Sequence, residues 1–156
     1  MERSDLTIRK ATRKDVEAVT RFCILGAKGT TNKDLNEEDV KAGISFVVRE
    51  HPDFFLVAKK GNEYVGQLKV HVHYYDWYDA TFWWIEHVYV DENYRRQGIA
   101  RFMLDFVVEL AKEHGYVKGL LLLVSKSNKA ASRLYNEFGF EPSMLQLMNL
   151  ELQRNA

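Results

Sequence analysis

A helical stripe that begins directly after a glycine constrains this chain most. From Gly98 onward the apolar residues fall at Ile99, Phe102, Met103, Phe106, Val107, Leu110 and Ala111. That is the i, i+3, i+4, i+7, i+8 spacing of an amphipathic helix. Ahead of it, Val88, Tyr89 and Val90 read as a strand end, and residues 91–97, with Arg95, Arg96 and Gln97, as a short basic turn. A helix starting there leaves its first backbone N–H groups outside the helical ladder and pointing into the turn. Gly98 lets the backbone approach a ligand closely, and small Ala100 keeps the opening turn uncrowded. Together with the positive end of the helix dipole and Arg95, Arg96 and Arg101, these amides make a candidate site for a phosphate or pyrophosphate. The alternative is an ordinary strand-turn-helix junction that binds nothing. The stretch is not a Walker loop, because no G-x-x-x-x-G-K-S/T occurs. Nor is it a dinucleotide fingerprint, because one glycine stands where three are needed.

The length of 156 residues suits a single domain spanning 1–156, large enough for a substantial core. Lys+Arg and Asp+Glu balance at 22 each, so no global field draws the chain to nucleic acid or an anionic membrane. The basic turn is therefore a local feature with a local target. Cys23 is the only cysteine, which excludes an internal disulfide and fits a reducing compartment. No apolar run approaches ~18 residues, so no membrane span is expected. The start, Met1-Glu2-Arg3-Ser4-Asp5, lacks the apolar centre of a secretory signal. A cytoplasmic location is the expectation.

The rest of the chain reads as one mixed α/β domain without repeats or linkers. A short strand at 6–9 leads to a helix capped by Thr12, with Val16, Val19, Phe22 and Cys23 on its inner stripe. Residues 26–32 are expected to break that helix, either as a mobile segment beside a site or as a simple stop. A second helix starts at Asn36, whose following Glu37, Glu38 and Asp39 suit a helix N-terminus, and ends near His51-Pro52. Strands at 54–59, 64–74 and 80–90 form antiparallel hairpins, the second closed by an aromatic turn at 75–79. Such a turn is either a packed hairpin tip or a binding surface. A strand at 120–124, buried on both faces, precedes a helix whose inner face carries Ala130, Ala131, Leu134, Tyr135 and Phe138. Gly139 caps that helix, and a last strand at 144–150 is expected to end the fold.

Three pieces stand in order: V-Y-V-x4-R-R-Q-G-I-A, then L-L-V, then N-K-A-A-S-R-L-Y-N-E-F-G-F from Asn128 to Phe140. Together they resemble the GCN5-related N-acetyltransferase (GNAT) superfamily. Its signature Q/R-x-x-G-x-G/A is met by Arg95, Gly98 and Ala100. Its second landmark, N-x-x-A-x-x-x-Y with a following G-F, is met by Asn128, Ala131, Tyr135, Gly139 and Phe140. The resemblance covers residues 6 to 150 in element order, and its motifs lie in 85–142. It implies a central, mostly antiparallel sheet that splays beside the strand ending at Val90, flanked by helices. Acetyl-CoA is then the co-substrate in that gap, a primary amine the usual acceptor, and a homodimer the frequent assembly. The strand end Val88, Tyr89 and Val90 would run along the pantetheine arm, with Val88 and Val90 offering backbone groups. The turn from Arg95 through Arg96, Gln97, Gly98, Ile99 and Ala100 to Arg101 would take the pyrophosphate. Asn128 would bond the cofactor from the other wall.

Attack of an amine on a thioester has three needs. The amine must be neutral, although a lysine-like amine has a pKa of ~10. The developing oxyanion needs a donor such as a backbone N–H. The thiolate leaves more easily if it receives a proton. Tyr135 matches the family's tyrosine, placed to protonate the sulfur; otherwise its ring completes the helix's inner face. Glu86 is the candidate base, in a strand otherwise rich in aromatic and β-branched residues. Period-two alternation groups Trp84, Glu86, Val88 and Val90 on one face and Trp83, Ile85, His87 and Tyr89 on the other. Among apolar neighbours a carboxylate has a raised pKa, suited to accepting a proton through water. An acid at this position is similar to the polyamine and thialysine acetyltransferase branch. Glu86 then serves as base, as anchor for the acceptor's ammonium, or as a structural ion-pair partner.

His71, His73 and His87 lie on neighbouring strands. Without a ligating cysteine or H-x-x-x-H on a helix they read as a solvated sheet face, and no metal is expected. His87 is an outside candidate for proton transfer. Cys23 reads as core. The chain is thus read as an acetyl-CoA-dependent N-acetyltransferase working by direct transfer in a ternary complex, toward a small amine, a polyamine or a peptide or protein amine. The alternative is a non-catalytic acyl-CoA-binding module of the same fold, acting as sensor or partner subunit.

Overall fold

The computed structural model describes residues 5–152. Residues 1–4, most of the stretch read above for a secretory signal, lie outside these. The chain divides into two compact units, Met1–Leu123 and Val124–Ala156. In the first, β1 (Leu6–Lys10) leads to α1 (Val16–Thr31) and α2 (Glu37–Glu50). Then follow β2 (Phe54–Lys60), β3 (Glu63–Tyr75), β4 (Ala80–Val90), α3 (Ile99–His114) and β5 (Val117–Leu122). The sheet has five strands in the order β1-β2-β3-β4-β5, antiparallel except for the β4–β5 pair.

Strand pairing assigns the two faces. Phe55 opposes Lys69, and Val57 opposes Gln67. This face meets α1 and α2, where Val16, Val19, Ile44, Phe55 and Val57 form a buried cluster. The opposite face carries Leu56, Leu68, Val70 and Trp83 and meets α3. A methyl group at Gly66 would lie 3.2 Å from Met103 Cε and 3.4 Å from Ile99 Cγ2, so that glycine admits the first turn of α3 to the sheet. On α3 the buried residues are Ile99, Met103, Leu104, Val107 and Ala111. Phe102, Phe106 and Leu110 of the expected stripe are half-buried. The helix has turned slightly about its axis, bringing Leu104 inward.

Local chemistry explains the helix ends. Asn36 caps α2, its side chain accepting from Asp39 N–H at 3.0 Å, and the helix ends ahead of Pro52 as expected. Thr12 caps a single 3₁₀ turn, Arg13–Asp15, that feeds α1. The expected break at 26–32 does not occur, and α1 continues to Thr31. Two glycines cost a helix only about 1 kcal/mol each, and here the Thr30 and Thr31 hydroxyls donate back to Gly26 and Ala27 carbonyls at 2.8 and 2.9 Å. The stop comes at Asn32, whose backbone is left-handed at φ 53°.

Two other expectations are corrected. β5 starts earlier than read and ends at Leu122; it is a half-buried edge strand rather than one covered on both faces. Leu123, at the end of the apolar run, is 63% exposed. In the second unit, α4 spans Lys129–Glu137, but residues 144–150 form no strand. Leu145, Leu147, Met148 and Leu150 there are exposed. Apolar content sets a preference for extended chain, whereas a strand exists only with a ladder partner. No helix among the described residues is long and apolar enough to cross a membrane.

Candidate active site

Strands β4 and β5 pair from Thr81 opposite Val117 to Ile85 opposite Leu122, and there the pairing stops. Among the described residues, β4 from Glu86 to Val90 has no ladder partner on that side. The ladder stops because β5 ends at Leu122, which leaves the backbone groups of this stretch without strand partners on that side. On its other edge β4 stays paired with β3, but irregularly. Lys69 opposes Glu86 and Gln67 opposes Tyr89, so one residue of β3 faces two of β4, His87 and Val88. His87 takes up the extra length with a left-handed backbone, φ 51°.

This bulge corrects the simple alternation. Lys69 and Gln67 are two apart on β3 and share a face, so Glu86 and Tyr89 share it too, on the α1 side. Tyr89 packs on Phe22 with ring centroids 5.1 Å apart. Val90 opposes Gly66 and belongs to the α3 side, away from Glu86. His87 remains at the surface, and partial burial lowers its pKa below the ordinary imidazole value.

Beyond Val90 the chain makes a 3₁₀ turn, Glu92–Tyr94, tied by Asp91 N–H to Val65 C=O at 2.9 Å. Arg95 turns back: its Nε donates to Val90 C=O at 3.0 Å, and its guanidinium lies 5.6 Å from the Tyr89 ring centre. The structure thus gives Arg95 a part in shaping the turn. Gln97 Nε2 reaches Asn93 C=O at 3.4 Å. Arg96 and Gly98 both have left-handed backbones, φ 61° and 81°. The first helical bond of α3 runs from Phe102 N–H to Gly98 C=O at 3.0 Å. The amides of Gly98, Ile99 and Ala100 precede that bond and lie outside the helical ladder, at the positive end of a 16-residue helix.

Glu86 is not surrounded by apolar side chains as expected. Lys69, directly opposite, places Nζ 3.1 Å from Oε2, and the Glu86 side chain is 38% exposed. Lys69 also lies 3.4 Å from Asp53, a carboxylate only 4% exposed. Asp53 accepts from Val72 N–H at 2.9 Å and meets His71 Nδ1 at 2.9 Å. Burial works against its ionisation, but these partners outweigh burial and hold its pKa below the usual carboxylate value. Sequence reading missed Asp53, since nothing in its spacing points to residues sixteen or more positions away.

In the second unit, Asn128 is the N-cap of α4, its Oδ1 accepting from Ala131 N–H at 3.1 Å. The cap uses the carbonyl oxygen and leaves the amide nitrogen out of that bond. Tyr135 is the buried residue of α4, packed edge-on against Phe140 at 5.9 Å. Burial raises its phenol above the ordinary tyrosine pKa, so it stays a proton donor well past neutrality.

His71 and His73 share a face, their rings 5.9 Å apart. Among the described residues no group of three or more His, Cys, Asp or Glu side chains is arranged to hold a metal ion. Cys23 packs against the core, accepts from Gln67 Nε2 at 3.2 Å, and has its pKa raised by burial. The aromatic turn is divided in role: Tyr75 stacks against Phe82 at 4.9 Å, whereas Trp77 is 88% exposed.

Residues 21–140 match the model of the acetyltransferase (GNAT) family. A spermine/spermidine N(1)-acetyltransferase of Bacillus subtilis (strain 168) is 31% identical over 58 residues, 37% of this chain and 38% of that protein. The match thus spans well under half the length of that curated relative. The crystal structure of a possible acetyltransferase from Clostridium difficile 630 superposes with a TM-score of 0.87 at 25% identity, covering 96% of this chain and 99% of that one. A predicted acetyltransferase with acetyl-CoA from Clostridium acetobutylicum shares the fold, with a TM-score of 0.77 at 18% identity over 93% and 96% of the two chains.

Proposed function

The chain belongs to the acetyltransferase (GNAT) family, and from that premise we propose that it moves the acetyl group of acetyl-CoA to a primary amine by direct transfer in a ternary complex. One observation carries the reading. The unpartnered edge of β4, Glu86 to Val90, leads within a short turn to the amides that open α3. An extended arm that needs backbone hydrogen bonds, followed by a pyrophosphate that needs N–H donors, fits that sequence of groups. Acetyl-CoA supplies an acetyl thioester, the electrophile, when bound.

The chain's own residues handle the protons. Glu86, at the first residue past the last β4–β5 pair, takes a proton from the acceptor's ammonium, directly or through water. Tyr135, kept protonated by burial, gives its proton to the departing sulfur. Backbone amides along β4 are the donors available to a developing oxyanion. Val88 and Val90 hold the pantetheine arm, and the turn from Arg96 to Arg101 holds the pyrophosphate. Asn128 keeps an amide nitrogen for the cofactor. The acceptor is a small or polyamine-like amine or a peptide amine. We place the reaction in the cytoplasm, in a chain that pairs as a homodimer.

The test is thiol release from acetyl-CoA in the presence of diamines, polyamines, lysine analogues, aminoglycosides and short peptides. Acceptor-dependent release supports the enzyme reading and identifies the acceptor class. Tight acetyl-CoA binding with no release for any acceptor contradicts it and favours an acyl-CoA-binding module.

A further inference from the structure

We propose that Lys69, anchored by the buried carboxylate of Asp53, is a positioning residue that fixes and aims the Glu86 carboxylate for proton acceptance. The inference rests on Glu86 being the base. Glu86 stands where β4 loses its β5 partner, so one side of its strand is open. A glutamate side chain at such a place samples many rotamers, and ordering it costs conformational entropy. Lys69 removes that freedom only if it is itself fixed, and the structure shows how this is done. Val72 N–H donates to Asp53 at 2.9 Å and His71 Nδ1 lies 2.9 Å away on the same carboxylate. Asp53, 4% exposed, in turn lies 3.4 Å from Lys69 Nζ, and Lys69, 18% exposed, reaches Glu86 at 3.1 Å. The orientation of Glu86 is thereby tied to the backbone of β3.

The charge balance supports the same conclusion. The titratable groups around the pair are His71 and His73 on the same face of β3, His51 and Asp53 ahead of β2, His87 beside Glu86, and Cys23 on α1. Partial burial lowers the pKa of His87 and burial raises that of Cys23, both toward the uncharged form. His71 is already engaged with Asp53. Lys69 is therefore the cation in contact with Glu86.

The experiment compares pH profiles of kcat and kcat/KM for wild type, Glu86→Gln, Lys69→Met, Lys69→Arg and Asp53→Asn, each first shown to be folded by its thermal transition. The expected result has three parts. Glu86→Gln abolishes the acidic limb. Lys69→Met lowers kcat by about tenfold with KM nearly unchanged, the cost of a misplaced carboxylate. Lys69→Arg restores most of kcat, and Asp53→Asn reproduces part of the Lys69→Met loss. If Glu86→Gln removes the limb while Lys69→Met leaves kcat unchanged, the role of Lys69 is overturned and Glu86 stands as base. If Glu86→Gln leaves both limb and kcat unchanged, Glu86 is not the base, and the inference falls with it.

Discussion

Glu86 and Tyr89 project from the same face of β4 although they are three positions apart. Ordinary pleating alternates faces, so that spacing belongs to a bulge, here at His87 with its left-handed backbone. The consequence is functional geometry. Tyr89 packs under α1 against Phe22, Glu86 meets Lys69, and Val90 turns to the α3 side. The bulge lies just past the end of β4–β5 pairing, and it brings Tyr89 to the face of Glu86 while turning Val90 to the other.

Gly98 is expected to matter for cofactor binding through its backbone. An added methyl group would meet Phe102 Cε2 at 3.7 Å, an ordinary contact, so the cost of Gly98→Ala is that of holding φ 81°, about 1 kcal/mol. Gly61, in the β2–β3 turn, has φ 59° and open space around it, and Gly61→Ala carries a similar strain. Both variants should melt a few degrees early. Only Gly98→Ala should weaken acetyl-CoA binding in a calorimetric titration, by about tenfold, which corresponds to ~1.4 kcal/mol. Equal affinities for the two variants contradict a cradle at the start of α3.

Much of this arrangement is readable in the residues. Hydrophobic period and caps place α2, α3, α4 and the β4 boundaries, because each depends on neighbours a few positions away. The Gly98 turn is legible for the same reason. What fails to show is whatever depends on a partner distant in sequence. The bulge needs the β3 register, and the Lys69–Asp53 contact needs β2 beside β3. The expected strand at 144–150 has the right composition but no ladder in the structure. The glycines of α1 mislead in the other direction. Gly26 leaves room for the Tyr89 ring, which a methyl group there would meet at 3.5 Å, and the helix runs on.

Tyr135 gives a prediction about the basic side of the pH profile. Burial raises its pKa above the ordinary value near ~10, so the donor form is fully present at every pH below that. Steady-state kinetics of Tyr135→Phe should show kcat lowered by about 10²-fold with KM for acetyl-CoA nearly unchanged. Wild type should hold its activity through pH ~9 with respect to this group. An unchanged kcat in the phenylalanine variant assigns Tyr135 to packing alone.

Asp15 governs acid stability. It is fully buried, accepts two bonds from Arg9 at 2.7 and 2.9 Å, and also accepts from Thr12 N–H and Tyr64 O–H at 2.7 Å each. The Arg9 guanidinium first, then Thr12 and Tyr64, overcome burial and hold its carboxyl far below the usual range. A depressed carboxylate stabilises the fold above the unfolded-state pKa of ~3.9, and that stability is lost as pH falls from there toward the folded value. Asp15→Asn should lower stability at pH 7 by about 2 kcal/mol. It should also flatten the decline of the melting temperature below pH ~4. A variant that keeps the wild-type acid slope removes Asp15 from this role.

The most direct measurement of the central claim is backbone hydrogen exchange with and without acetyl-CoA. The account predicts slowed exchange at Val88 and Val90 on the open edge of β4 and at Gly98, Ile99 and Ala100 ahead of the first α3 bond. The paired amides of β1 and β2 should be unchanged. Saturating acetyl-CoA that leaves the amides of 88–100 unprotected, or protects another part of the molecule instead, contradicts the assignment of this gap as the site of acetyl transfer.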